Sequence, residues 1–484
     1  MDLIQNGYSC EYDMEIFINI FFKKKEKGFI MTNLTYENNK INVYVEIVFE
    51  GKSYFGDFWY PFFGDENNES IKKKNFVCSI TKAFCNVAKN IRDVNLAWGV
   101  MSGIRPAKVV RQYFEDGYSY DEIKEILINL YDVCEEKAEL AIEVSKNEKI
   151  ILSEIKENSV SLYIGIPFCP TRCLYCSFVS TDIKKSGKYI EDFVRLLCEE
   201  IKETARVLKE CNLFVQNIYI GGGTPTSITH IQLRKILKSI NENIDLKNIN
   251  EFTVEAGRPD TITLEKLKVL KQNGVNRISI NPQTMNDVTL KKIGRCHTAE
   301  LTKNAFKMAR DEGFLNINMD LIAGLPDETP EMFFYSLDEV IKLNPENITV
   351  HSMCVKKAAD LNVSNLELTK SKDMNRMLSY TQNKMKKTNR VPYYMYRQKN
   401  ISGNLENVGY STKETMSFYN INIMEEAQTI IALGGGGVTK VVMGDRIERI
   451  FNFKDPYEYI NRFDEILEKK QEIINLYKGN KENG

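Results

Sequence analysis

No segment of the 484 residues approaches the ~20 apolar residues that a membrane span requires. The apolar stretch Ile16–Phe22 is too short for a secretory signal. Net charge is nearly absent: 65 basic residues against 66 acidic ones leave −1, which removes any bulk electrostatic drive toward nucleic acid or an anionic membrane. The short run Lys72-Lys73-Lys74 reads as a solvated loop rather than a binding patch. Eleven cysteines, an odd number in a chain without an export signal, argue against a disulfide framework and for reduced thiols. These absences predict a cytoplasmic protein with neither nucleic acid nor membrane as a partner. What is present, 43% hydrophobic and 27% charged residues, is the balance of a globular chain long enough for two or three domains.

Residues 1–95 read as a small α/β unit, with β-formers at Ile41–Phe49 and Tyr54–Trp59 and a helical apolar period over Phe76–Ile91. Residues 96–155 read as a helical linker. Arg105-Pro106 starts one element, and Asp121–Leu130 and Cys134–Val144 carry i, i+3, i+4 apolar spacing. From residue 156 to 355 short apolar strands alternate with amphipathic helices. The strands are Leu162–Ile166, Asn217–Ile220, Glu251–Ala256, Arg277–Ile280, Asn316–Ile322 and Asn347–His351. Six such repeats predict a parallel sheet with right-handed crossovers, fewer than the eight that close a barrel, hence an open partial barrel. Residues 356–484 form a mixed C-terminal extension.

Three of the cysteines stand together in Tyr163-Ile-Gly-Ile-Pro-Phe-Cys169-Pro-Thr-Arg-Cys173-Leu-Tyr-Cys176, in a loop directly after the first strand. The C-x3-C-x2-C spacing suits a cubane [4Fe-4S] cluster with three irons held by protein and the fourth left open. A closed zinc site would need a fourth ligand, and the nearest downstream histidine is His230. Gly221-Gly222-Gly223-Thr224-Pro225 ends the second strand, where missing Cβ atoms let the backbone approach a ligand. Polar residues mark the following strand ends: Glu255, then Gln283 with Arg295 beyond it, then Asp320. Carboxylates at 255 and 320 can accept hydrogen bonds from a ligand, and Arg295 offers a fork for a carboxylate.

The cysteine segment, in this setting, resembles the radical SAM superfamily. The resemblance implies that S-adenosylmethionine (SAM) chelates the open iron through its amino and carboxylate groups. It further implies that one-electron reduction releases a 5′-deoxyadenosyl radical that abstracts hydrogen. The order Tyr163…Cys169, Gly-Gly-Gly-Thr-Pro-Thr226, Glu255, Arg277-Ile-Ser…Gln283, Gly294-Arg-x-His297 and Asp320-Leu-Ile-Ala-Gly-Leu-Pro326 is similar to the oxygen-independent coproporphyrinogen III oxidase (coproporphyrinogen dehydrogenase) family. Trp98-Gly…Gly103-Ile-Arg105-Pro106 and the stretch from Tyr393 to Tyr410 look most like its HemZ-type branch. The implied fold is an α/β radical SAM partial barrel, (β/α)6, with extra regions at both ends. The implied SAM contacts are Tyr163, Gly222, Gly223, Thr224, Glu255, Gln283, Arg295 and Asp320, with Cys169, Cys173 and Cys176 on the cluster. The implied reaction is an oxidation in heme biosynthesis. It converts two propionates of coproporphyrinogen III to vinyls with loss of CO2, giving protoporphyrinogen IX, and draws on a low-potential electron donor.

One position departs from the dehydrogenases, which carry a fourth cysteine where this chain has Phe178. The sibling heme chaperones also lack it, but they carry a His-Asn pair with a following Tyr-Trp where this chain reads Gly403-Asn404 through Tyr410. Only His230, His297 and His351 could ligate heme. His297, in the Gly-Arg-x-His motif, is the site candidate, His230 starts a helix, and His351 either lines the pocket or packs in the core. Arg105, Arg397 and Lys399 are candidates for propionate contacts but read more simply as ordinary salt bridges, and Gly434–Gly437 as a tight loop rather than a phosphate cradle. Two other functions stay open: a heme-binding chaperone-like protein, and a radical SAM enzyme for another carboxylated substrate.

Overall fold

The computed structural model describes residues 1–176, 180–354, 369–398, 405–444 and 446–482, in two units. The first comprises residues 1–145, 370–375 and 395–406, and the second the remainder.

In the first unit β1 (Asp2–Asn6), β2 (Gly28–Glu37), β3 (Lys40–Phe49) and β4 (Lys52–Pro61) form a sheet in that order. Alternation sets its two faces. Along β3, Ile41, Val43, Val45, Ile47 and Phe49 are buried while their neighbours stay partly exposed, the two-residue period of a strand with one covered face. The helix Glu69–Ala88 packs on this sheet, started by the Asn68 side chain accepting from the Ser70 and Ile71 amides. Helices Pro106–Glu115, Tyr120–Asn129 and Glu135–Leu152 follow. Arg105 takes the N-cap place of the first of them, with Pro106 at its opening turn. Trp98 is buried here and donates from Nε1 to Glu406 at 2.6 Å, and Lys137 meets the same carboxylate at 2.7 Å. Arg397 lies over the Trp98 ring and donates to the Met101 carbonyl at 2.6 Å. These are packing contacts within the first unit. Lys399 lies outside the described residues.

The second unit is built on β5 (Ser159–Ile166), β8 (Phe214–Gly222), β9 (Glu251–Glu255), β10 (Arg277–Ser279), β11 (Ile317–Ala323) and β12 (Asn347–Ser352). Between β5 and β8 a small parallel pair, β6 (Phe168–Cys169) and β7 (Thr181–Asp182), frames a loop. These six strands are mutually parallel and match the six strands read from the sequence. They are buried along most of their length because a parallel sheet covered by helices is buried on both faces. Their crossovers are the helices Ile190–Cys211, His230–Asn243, Leu264–Gln272, Ala299–Asp311 and Pro330–Leu343. Four of these start with a threonine N-cap: Thr229, Thr263, Thr298 and Thr329 each accept the backbone amide three residues on. The result is a partial (β/α)6 barrel.

After residue 355 the β–α rhythm ends, but the sheet does not. β13 (Val391–Arg397) and β14 (Glu406–Ser411) extend it beyond β12, and β15 (Ile430–Gly434), β16 (Val438–Met443) and β17 (Arg446–Phe451) extend it beyond β5. β15 runs parallel to β5, a seventh parallel strand. The helix before it, Phe418–Glu425, is only eight residues long and announces no crossover, and β15 leads straight into an antiparallel hairpin with β16. The Gly434–Gly437 loop is the turn of that hairpin. Gly434 and Gly436 take φ of +76° and +73°, and the Gly435 amide donates to the Gly165 carbonyl at 3.0 Å. Among the described residues no helix is long and apolar enough to cross a membrane.

Candidate active site

The C-terminal ends of parallel barrel strands are where loops gather side chains from several strands, and the cysteine segment leaves from the end of β5. Its two ends are pinned together by the β6–β7 pair and by Thr181 N–H donating to Pro167 O at 2.8 Å. Its tip is anchored by Leu174 and Tyr175, which pack against buried Leu290, Ile293, Ile322, Leu325 and Met353. The Leu174 amide donates to Ile293 O at 3.1 Å, and Thr171 Oγ1 to Gly294 O at 3.2 Å. Cys173 is buried, and Cys169 and Cys176 are half-buried. Among the described residues no three His, Cys, Asp or Glu side chains converge on a point for a single ion. Three cysteine sulfurs on one braced loop are the donor set of an iron–sulfur cluster, and Cys169, Cys173 and Cys176 would hold it. Phe178 lies outside the described residues.

The glycine run at the end of β8 backs this loop. A Cβ on Gly223 would lie 2.7 Å from the Phe168 carbonyl oxygen, and one on Gly222, at φ +108°, 3.2 Å from Ile166 N and O. The amides of Gly223 and Thr224 donate to Ile166 O and Phe168 O at 2.9 and 2.8 Å. Thr224 Oγ1 lies 3.4 Å from Cys169 Sγ. These two amides therefore hold the cysteine loop itself, and close backbone approach is the reason glycine is needed here.

On the next strands Glu255 is the centre of a second group. Tyr219 donates to its Oε1 at 2.5 Å. Burial first, and the nearby Asp320 charge, push the Glu255 carboxyl up to about 7, against hydrogen bonds from Tyr219 and the Gly222 backbone and the charge of His351. Asp320 accepts from Asn318 Nδ2 at 2.7 Å, and its other oxygen lies 3.7 Å from His351 Nε2. The His351 side chain is 29% exposed. Beneath Glu255 the rings of Tyr163, Tyr219 and Tyr419 stack, with centroids 4.4 Å apart for Tyr219–Tyr419 and 6.3 Å for the other pairs. Tyr419 comes from the helix Phe418–Glu425. Its start is held by Glu251, the first residue of β9, through Ser417 Oγ at 2.9 Å and the Phe418 amide at 2.8 Å.

Gln283 has a left-handed backbone, φ +69°, which a side-chain-bearing residue adopts only under constraint. The constraint is visible: its amide donates to Asp320 O, and its carbonyl accepts from the Ile322 amide, both at 2.9 Å. Its buried Oε1 has no hydrogen-bond partner, an unmet acceptor that fits a donor from a bound ligand. Arg295 is directed at the cysteine loop. Nη2 and Nε donate to Tyr175 Oη at 2.8 and 3.1 Å, and Nη1 to Gly257 O at 3.0 Å. His297 is buried, and its pKa is pushed down to about 4 by burial, then by Arg295. His230 opens the helix His230–Asn243.

Three residues with direct contacts here escape the motif reading: Tyr219 and Tyr419, and Arg258, which reaches Cys173 Sγ at 3.7 Å. For Arg258 the available signal was position, three residues past a strand end already marked by Glu255. For Tyr419 no local signal exists.

Residues 163–340 match the Radical SAM superfamily. Over 416 residues, 84% of this chain and 83% of the other, the chain is 40% identical to the oxygen-independent coproporphyrinogen-III oxidase-like protein HemZ of Bacillus subtilis. It is 39% identical to the heme chaperone HemW of the same organism over 197 residues, 40% of this chain and 51% of that one. Among solved structures, the coproporphyrinogen III oxidase HemN of Escherichia coli, described as a radical SAM enzyme, superposes with a TM-score of 0.53 at 22% identity. The match covers 66% of this chain and 72% of that one and carries the likeness of fold.

Proposed function

Because the chain belongs to the radical SAM superfamily and, within it, to the HemZ-type coproporphyrinogen III oxidase-like family, we propose that it oxidatively decarboxylates a propionate-bearing tetrapyrrole without oxygen. The substrate in this reading is coproporphyrinogen III and the product protoporphyrinogen IX. The cofactors that come with the superfamily are a [4Fe-4S] cluster and SAM. In this reading Cys169, Cys173 and Cys176 hold the cluster. Once bound, cluster and SAM supply one-electron cleavage chemistry and a hydrogen-abstracting group, while the protein binds, orients and excludes water.

Glu255 accepts from the SAM ammonium. A carboxyl poised near 7 is drawn to its ionised form by an arriving cation. Asp320 takes ribose hydroxyls, and Gln283 offers its unmet Oε1. The Tyr163–Tyr219–Tyr419 stack forms an apolar floor beneath this group. Arg295, beside the cysteine loop, takes a carboxylate. The propionate substrate and an external low-potential electron donor complete the reading.

The observation that supports it best is one rim carrying the braced three-cysteine loop, the raised carboxyl of Glu255 and the orphaned Gln283 oxygen. A second reading, a heme-binding chaperone-like protein, draws on the HemW likeness and on Phe178, the position where the dehydrogenases carry cysteine. Anaerobic reconstitution with SAM, a reductant and coproporphyrinogen III, followed by mass spectrometry, separates them. Mono- and di-decarboxylated products with matching 5′-deoxyadenosine are expected. Deoxyadenosine without porphyrin turnover would retire this substrate, and tight heme binding in its place would establish the second reading.

A further inference from the structure

Arg258 belongs to none of the sequence motifs, yet it is 3% exposed and points into the cysteine loop. Nη1 lies 3.7 Å from Cys173 Sγ and donates to Thr171 Oγ1 at 3.0 Å and Thr171 O at 3.3 Å. The other edge of the guanidinium is gripped by Asp260, with Nε to Oδ1 at 3.0 Å and Nη2 to Oδ2 at 2.8 Å. A bidentate clamp of this kind fixes the plane of the fork, so the edge facing the sulfur cannot swing away. Asp260 is itself backed by His297, whose Nδ1 is 3.8 Å from Oδ1.

We propose that Arg258 is a positioning residue for the iron–sulfur cluster: its clamped guanidinium donates to the Cys173 sulfur and raises the potential at which the cluster accepts an electron. The inference rests on the reading of Cys173 as a cluster ligand. Adding an electron increases the negative charge shared by the sulfurs, and a cation with an N–H aimed at one of them stabilises the reduced form more than the oxidised one. Hydrogen bonds to ligating sulfurs are among the main controls on cluster potential, and outer contacts of this kind tune metal sites generally. A role confined to bracing the loop through Thr171 would alter cluster loading and leave the potential of loaded protein alone.

The test compares wild type, R258K and R258M after anaerobic reconstitution, with iron content and midpoint potential from EPR-monitored redox titration. The expected result is full iron content in R258M with a lower midpoint than wild type, and R258K between the two. Equal midpoints for wild type and R258M at equal iron content overturn the proposal. If R258M takes up no iron, R258K decides: it keeps the charge but not the fork, so a midpoint below wild type supports the proposal and an unchanged one overturns it. A wild-type protein that forms no cluster at all overturns the reading of the three cysteines, an outcome distinct from a cluster whose potential ignores Arg258.

Discussion

Tyr219 and Glu255 stand on neighbouring strands, β8 and β9, and the tyrosine hydroxyl donates to Glu255 Oε1 across 2.5 Å. Burial pushes the Glu255 carboxyl up, and that bond is among the contacts that hold the rise to about 7. In Tyr219→Phe the donor is gone, so the Glu255 pKa rises further and less of the ionised form is present at neutral pH. SAM affinity at pH 7, read by calorimetry or deoxyadenosine yield, should fall roughly tenfold, the scale of a hydrogen bond to a charged group. The pH midpoint of binding should move upward. An unchanged pH profile would show that Glu255 does not meet the ammonium.

Gly223 is a steric requirement of the cysteine loop. A methyl there would sit 2.7 Å from the Phe168 carbonyl oxygen and 3.0 Å from Phe168 C and N, which are backbone atoms without freedom to yield. Gly223→Ala should therefore lower iron incorporation to well under half while leaving circular dichroism unchanged. Gly187→Ala, where a Cβ meets open space, should load iron as wild type.

Glu328 carries a pH signature outside the site. It is 4% exposed, donors from Thr284 and Asn286 notwithstanding, and burial pushes its carboxyl from 4.5 up to about 7. The folded state thus favours the protonated form. Its contribution to stability is fully present below pH 4.5 and is lost as pH rises through 7. Glu328→Gln should remove this loss. Urea titrations at pH 5 and pH 8 should show the wild type losing up to about 3 kcal/mol more than the variant between the two.

Lys470 and Glu200 form an ion pair at 2.9 Å with both side chains 2% exposed or less. Glu200 also receives the Gly434 amide at 2.8 Å, Asn452 Nδ2 at 2.9 Å and Tyr459 Oη at 2.7 Å, and Lys470 donates to Ala432 O at 2.7 Å. Lys470→Met strands a buried carboxylate and should cost ~3–5 kcal/mol in chemical denaturation, whereas the double variant with Glu200→Leu should recover much of it.

The barrel is legible because short strands rich in Ile, Val and Leu alternate with helices that carry their own period, with Thr229, Thr263, Thr298 and Thr329 writing four of the helix starts. These are local signals. β15 was hidden because Ile430–Gly434 is joined to β5 only through space, and no crossover pattern precedes it. In the first unit β1 and β2 carried too weak an alternation to be singled out. The same division holds at the candidate site. Spacing picks out three cysteines, and position at a strand end picks out Glu255, whereas Asp320, read from the sequence as a strand end, lies in the middle of β11. The partners that hold them, Arg258 on Cys173 and Tyr219 on Glu255, depend on which side chains the folded sheet brings side by side.

The pairing of β5 with β15 also orders events in time. Residues 159–166, from which the cysteine loop springs, gain one of their two neighbouring strands only from residues 430–434, and the start of the loop is closed off by Gly435 donating to Gly165. A ribosome making this chain from its N-terminus will have released every residue of the loop long before the strand that flanks it exists. Contacts between such distant segments form late and slowly. The nascent protein therefore carries its cysteine loop on an unfinished wall until residues 430–434 have emerged and paired with β5.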